Sequence, residues 1–349
     1  MTSRERLLTA LRGGTPDRVP VSPFGWGHVD PDSEIGHEML ARLDMLICVG
    51  GGGDPFFGAR VPASSHSEGD TSVAVYHTPR GDLRRVSRRT AVTSATIEFP
   101  CKTPDDIDRV LSLPYQPPGF NLDSYQQWVE RAGDEALVMV GLNNAICWPA
   151  TLFSPEDLCL CWADAPDQLR RLNDVAQERL LSYVEQLCAA GVAAFRIVGG
   201  EYATTQLGPA GFEALCSEQD RELCDLLRRY EAVSYYHNHG PVMRFLELFR
   251  AVGMDAMDPF EAPPFGDCDL RETKRRLGKI AVVGNLDDME QYEKLPHPEL
   301  QRLAAERLEA AGPTGFVLGG TASGTYTEVG ARGFLAVLEV ARSFGAKVR

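Results

Sequence analysis

Short apolar runs rich in β-branched residues alternate with longer stretches in which apolar side chains recur every three to four positions, over nearly the whole 349-residue chain. The first pattern suits a buried strand and the second an amphipathic helix that covers it, so together they predict a parallel sheet with helical crossovers. Eight strands are expected, near residues 18–24, 44–49, 136–142, 193–199, 232–238, 255–260, 280–285 and 315–319. Helical periodicity fills most intervals between them, notably 167–190, 209–229, 241–252, 298–311 and 330–345, with Ser154-Pro155-Glu156 and Gly208-Pro209 as start signals. Eight strands with covering helices close best as a single (β/α)8 barrel over residues 1–349, an α/β fold. An open doubly wound sheet is the alternative, but no Gly-x-Gly-x-x-Gly follows the first strand.

The interval between the second and third strands breaks this rhythm. Thr71–His77, Asp82–Val86 and Thr93–Phe99 alternate with a period of two about a Pro79-Arg80-Gly81 turn. A β-hairpin insertion over residues 71–100 is therefore expected, placed as a lid over the barrel mouth. Arg80, Arg84, Arg85, Arg88 and Arg89 crowd it, either as a solvated face or as a surface for an anionic substrate or acidic partner.

Charge narrows the partners. Forty-nine acidic against thirty-five basic side chains give a net charge of −14, which repels nucleic acid and anionic membranes. No run approaches the length of a membrane span, and Arg4-Glu5-Arg6 leads into an amphipathic helix, so a cytoplasmic protein acting on a small molecule is expected. The nine cysteines are odd in number and scattered, without a Cys-x-x-Cys pair, which reads as reduced thiols used mainly for packing.

In such barrels chemistry gathers at the carboxyl ends of the strands. Those ends carry Ser22, Trp26 and His28; Asp54 after Gly50-Gly51-Gly52-Gly53; Asn143 and Asn144; Glu201; His237 and His239; Glu261; Asn285 and Asp287; and Thr321 and Ser323. His237 and His239 lie two apart at the end of one strand, so both imidazoles project from one face. That spacing suits chelation of one divalent metal ion, with Glu201 from the neighbouring strand as a third ligand and an open position for substrate. The other reading makes the histidines metal-free proton carriers or substrate ligands. Glu261 and Asp287 suit substrate hydrogen bonds or support of the histidines, although Asp287 equally suits a helix cap. The glycine run can cradle an anion, but without a following Gly-Lys-Ser/Thr its default is a flexible loop.

The stretch from Arg4 to Val21, with Arg12-Gly13-Gly14-Thr15-Pro16-Asp17-Arg18-Val19-Pro20-Val21 at its end, resembles the opening of uroporphyrinogen decarboxylase superfamily proteins. His237-Asn238-His239-Gly240, Gly253-Met254-Asp255, Pro259-Phe260-Glu261 and Gly278-Lys279-Ile280 through Gly284-Asn285-Leu286-Asp287 are similar to its carboxyl half in order and spacing. The resemblance implies a barrel, and either porphyrinogen decarboxylation or zinc-dependent methyl transfer with corrinoid proteins or folate-type acceptors. Two departures qualify it. No arginine occurs between Arg18 and Arg42, where the decarboxylases carry donors for substrate carboxylates, which argues against uroporphyrinogen itself. Where the methyltransferases carry zinc-binding cysteines, this chain has His239 and the cysteine-free Gly319-Gly320-Thr321-Ala322-Ser323.

The leading expectation is a metal-dependent methyltransferase-like enzyme, in which Glu201, His237 and His239 hold zinc, or iron or manganese, and Trp26, His28, Asn143, Asn144, Glu261 and Asp287 meet the substrate. A corrinoid protein is the partner this implies, and similar proteins are commonly homodimers. The alternatives are a metal-free decarboxylase or lyase for a small carboxylic acid, and a barrel that binds a corrinoid or partner protein without chemistry.

Overall fold

The computed structural model describes residues 1–91, 93–321 and 325–348, the side chains of 347 and 348 excepted, so Ser323 lies outside the described residues. In chain order the strands are β1 (Val21–Ser22), β2 (Met45–Gly50), β3 (Ala63–Glu68), β4 (Thr71–Tyr76), β5 (Leu83–Arg89), β6 (Ser94–Glu98), β7 (Ala136–Asn143), β8 (Ala194–Val198), β9 (Val233–His237), β10 (Ala256–Asp258), β11 (Ala281–Leu286) and β12 (Phe316–Gly320). Eight form one sheet in the order β1-β12-β11-β10-β9-β8-β7-β2, and every pairing within it is parallel. A bridge between Phe24 and Leu46, with the Gly25 N–H donating to the Leu46 carbonyl at 2.8 Å, joins the two ends into a barrel. Each of the eight expected strands falls on one of these. They are legible because both faces are covered: in β7, Ala136 through Val140 are all buried.

Two apolar layers result. The outer one lies between the strands and helices such as Pro166–Ala189, whose Leu169, Leu172, Ala176, Leu180 and Leu187 form one buried stripe. The inner one fills the barrel, where Leu46, Leu137, Ala194, Val233, Ala256, Ala281 and Val317 meet Leu7, Ala10 and Leu11 of the amino-terminal helix Ser3–Leu11. That helix therefore seals the amino-terminal end of the barrel. Thr2 starts it with a capping box, taking the Glu5 N–H at 3.2 Å while Glu5 takes the Thr2 N–H at 2.9 Å. Arg6 reaches from it to Asp44, just before β2, at 2.7 Å; Asp44 is fully buried and also accepts from Arg18 at 2.5 Å and from the Val21 N–H at 3.0 Å. These bonds tie helix, β1 and β2 together.

The insertion is larger than the expected hairpin over 71–100. It is a four-stranded antiparallel sheet, β3-β4-β5-β6, that begins at Ala63. Ala-Ser-Ser-His-Ser-Glu of β3 is exposed throughout, so it has no apolar face for a periodicity to reveal. The glycine loop after β2 is closely packed instead of open: Gly52 and Gly53 have φ of 68° and 71°, and a Cβ on Gly53 would lie 2.3 Å from the Gly119 carbonyl oxygen. Among the described residues no helix is long and apolar enough to cross a membrane.

Candidate active site

β9 ends in a polar couple because its alternation brings Val233, Tyr235 and His237 inward, and His237 is the last inward position before the chain leaves the barrel. The register sets Asp258, the last residue of β10, directly opposite His237. His237 Nδ1 lies 2.9 Å from Asp258 Oδ1, and both groups are buried. A carboxylate can only accept, so Nδ1 carries the proton and Nε2 is the free edge. Burial pushes the Asp258 carboxyl up, but His237, Arg196 and His239 outweigh it and hold Asp258 below the usual carboxylate value.

His239 makes a second couple. Its Nδ1 lies 3.0 Å from Glu261 Oε1, while Glu261 Oε2 accepts the Gly240 N–H at 2.9 Å, so the carboxylate holds ring and backbone at once. The hydrogen bond to Glu261 raises the His239 pKa above 6.5 against the opposing effect of burial, and Asp258 and Glu201 add to the rise. The two imidazoles stand edge to face with centroids 4.5 Å apart. His237 is buried, whereas the His239 side chain is 41% exposed and meets solvent. Asn238 steadies the link between them: its amide donates to the His239 carbonyl at 2.9 Å and its oxygen accepts from Thr204 at 3.2 Å. Gly200 lets the chain pass there, because a Cβ would lie 2.4 Å from the Tyr236 hydroxyl.

Glu201 sits in the first turn of the short helix Gly200–Gln206 and accepts the Gly199 N–H at 3.3 Å, within electrostatic reach of His239. Among the described residues no group of three His, Cys, Asp or Glu side chains is arranged to hold a metal ion. Glu201 thus does not close the expected three-ligand set as it stands. The two histidines alone would offer an ion two ligands, their Nε2 edges, because each Nδ1 is held by a carboxylate.

Of the remaining expected residues, Asp287 lines a small cavity together with Glu261, and the others disperse. Asn143 lines a separate cavity beside the glycine loop. Asn144 is fully buried and turned away, donating to both oxygens of Asp220 at 3.2 and 3.1 Å, where the Tyr236 hydroxyl also donates at 2.6 Å. Asp287 caps the turn Asp288–Tyr292 through the Met289 and Glu290 N–H groups and accepts the Thr321 hydroxyl at 3.1 Å, the cap reading of this residue. Trp26 stacks on Trp128 at 5.6 Å, on the helix Asp123–Ala132 outside β2 and β7, and the His28 side chain is exposed.

Three groups went unassigned in the sequence. Asp258 was visible only as the neighbour of Glu261. Arg196 lies at an inward position of β8, with its guanidinium 4.1 Å from the Phe24 ring centroid and near enough to Asp258 to lower its pKa. Cys48, on β2, shares this interior, and burial pushes its thiol up to about 11, so it is inert as a nucleophile near neutrality. A charged residue inside the run Ala194-Phe195-Arg196-Ile197-Val198 was the available signal for Arg196.

A closed α/β barrel with two imidazole–carboxylate couples at adjacent strand ends defines a barrel protein of the kind that works from its carboxyl-terminal face. Residues 87–343 match the uroporphyrinogen decarboxylase (URO-D) family, and the chain belongs to that family. No curated protein matches the sequence significantly. Among solved structures, the fold is similar to a methyltransferase from Methanosarcina mazei, with TM-score 0.64 at 14% identity over 97% of this chain and 98% of that one. A B12-independent methionine synthase from Shewanella sp. W3-18-1 matches less closely, with TM-score 0.44 at 12% identity over 73% and 72% of the two chains. At 14% identity the likeness to the methyltransferase is one of fold.

Proposed function

We propose that this chain is an acid–base enzyme that decarboxylates a small carboxylic acid, with His239 as proton donor and His237, oriented by Asp258, as its partner. The observation that carries the reading is the paired arrangement: two imidazoles 4.5 Å apart, each with its Nδ1 held by a separate carboxylate. In the reaction the bond between the substrate carbon and its carboxylate breaks, CO2 leaves, and the electron pair left on carbon takes one proton. His239, favoured in its charged form by Glu261, can supply that proton from Nε2 and is recharged from solvent at its exposed edge.

The test is CO2 release from a panel of pyrrole-, phenyl- and imidazole-carboxylates by protein stripped with chelator, with product made in heavy water. One solvent deuterium at the vacated carbon is expected, with turnover reduced about 10²-fold or more in His239→Gln. Turnover that depends on restoring a metal would overturn it.

A second reading keeps the divalent ion and methyl transfer, with a corrinoid protein as possible partner. It is favoured by one observation: carboxylates on both Nδ1 atoms leave both Nε2 edges free, as outer carboxylates do for metal-binding histidines. In that case His237 and His239 would hold zinc, iron or manganese, with Glu201 released from Gly199. Elemental analysis of protein purified without chelator or histidine tag, beside a His237→Ala, His239→Ala double variant, decides it. Stoichiometric metal lost in the variant supports the ion, and none in either after reloading removes it.

A further inference from the structure

Two features that the acid–base reading leaves unused meet in one cavity. The glycine run Gly50–Gly53 leaving β2 and Arg85 of the inserted β5 line a space of about 420 Å³, closed further by Asn143, Phe57 and Trp148. In the barrel order β7 stands two places from β9 and β2 three, so the cavity lies round the rim from His237.

Its walls set one guanidinium, Arg85, among aromatic rings and glycines. Trp148 is 1% exposed, and its indole Nε1 has no hydrogen-bond partner among the described residues. Arg85 Nε is likewise buried and unpartnered, while its Nη2 donates to the Thr96 hydroxyl at 3.1 Å. Both N–H groups are enclosed within the wall, so what the cavity presents is the positive charge of Arg85. Asp54, the one carboxylate on the wall, takes the Phe56 and Phe57 N–H groups on its Oδ1 at 2.8 and 3.1 Å. Behind the wall, the Arg179 guanidinium packs 4.9 Å from the Trp148 ring centroid and adds positive charge. The apolar side is prebuilt: Phe57 stacks on Tyr76 at 5.2 Å and meets Trp148 edge-on at 5.7 Å. A Cβ built on Gly50 would meet nothing within 4 Å, so the glycine leaves open volume there.

We propose that this cavity binds a planar aromatic or conjugated carboxylate, whose negative charge is drawn to the Arg85 guanidinium and whose ring lies against Phe57. The inference concerns binding and stands or falls separately from any proton transfer at the histidines. Isothermal titration with 2-naphthoate tests it, with the uncharged 2-naphthylmethanol as the matched ligand. Naphthoate is expected to bind, with the alcohol weaker by about tenfold or more. Arg85→Gln, which keeps the side chain but not the charge, and Gly50→Val, which fills the open volume, are each expected to weaken naphthoate by about tenfold or more. Thermal unfolding identifies any variant that fails to fold, and the two ligands on the unaltered protein decide the matter in that case. Absence of binding up to about 10 mM, equal affinity for the alcohol, or undiminished binding by two folded variants overturns the proposal.

Discussion

His237 and Asp258 occupy facing register positions on neighbouring strands, and the 2.9 Å bond between them fixes which edge of the imidazole faces the barrel mouth. Asp258→Asn keeps the shape but lets the ring settle with either nitrogen outward. Turnover is expected to fall about 10- to 100-fold with KM changed far less, a split that general loss of folding would not produce. Steady-state kinetics on a substrate from the decarboxylation panel, with thermal unfolding as control, checks it.

His239 titrates as one member of a couple. Its folded pKa lies above 6.5 chiefly through the hydrogen bond to Glu261, so protonated His239 stabilises the fold below that value and the contribution fades as pH rises through the folded pKa. Glu261→Gln removes the negative charge, and the His239 pKa is expected to fall. Proton NMR of the imidazole C–H signals across the neutral range measures it, and an unchanged His239 midpoint in the variant would refute the couple.

Asp220 gives a prediction of the same sign by another cause. Burial pushes its carboxyl up from 3.8 to about 7, against the lowering effect of the hydrogen bonds from Tyr236 and Asn144. Its stabilising contribution is therefore whole below 3.8 and is lost as pH rises through about 7. Asp220→Asn cannot ionise. The unfolding midpoint of the variant, compared with the original protein, is expected to improve from about pH 4 to about pH 7 and to level off above that. A difference that stays flat across that window would show that the carboxyl does not titrate there.

Asp44 joins Arg6, Arg18 and the Val21 N–H where β1 meets β2. Asp44→Ala leaves two guanidinium groups facing a vacated buried position, so a loss of about 3–5 kcal/mol is expected. Urea denaturation measures it. A change below about 1 kcal/mol would mean that the network is replaceable by water.

The barrel was legible because each of its strands is an apolar run between helical stretches, and burial on both faces leaves that signature in any single segment. The inserted sheet was legible only from β4 onward, since Ala63–Glu68 is exposed on both faces. At the site, the spacing of His237 and His239 on one strand placed both at the mouth, and Glu261 was named as a supporting residue. Asp258 was not, because its pairing with His237 arises from the register between two strands and no single strand encodes it. Asn143 and Asn144 were grouped by proximity in sequence, yet neighbours at a strand end point opposite ways, one to a cavity and the other to the buried Asp220.

The helix Ser3–Leu11 makes the barrel a cup instead of a tube. Its Leu7, Ala10 and Leu11 pack among the inward side chains and close the far end to small molecules and water. Anything bound at His237 and His239 must therefore arrive and leave by the same opening, so a product still bound blocks the next arrival and exchange of the two is strictly sequential.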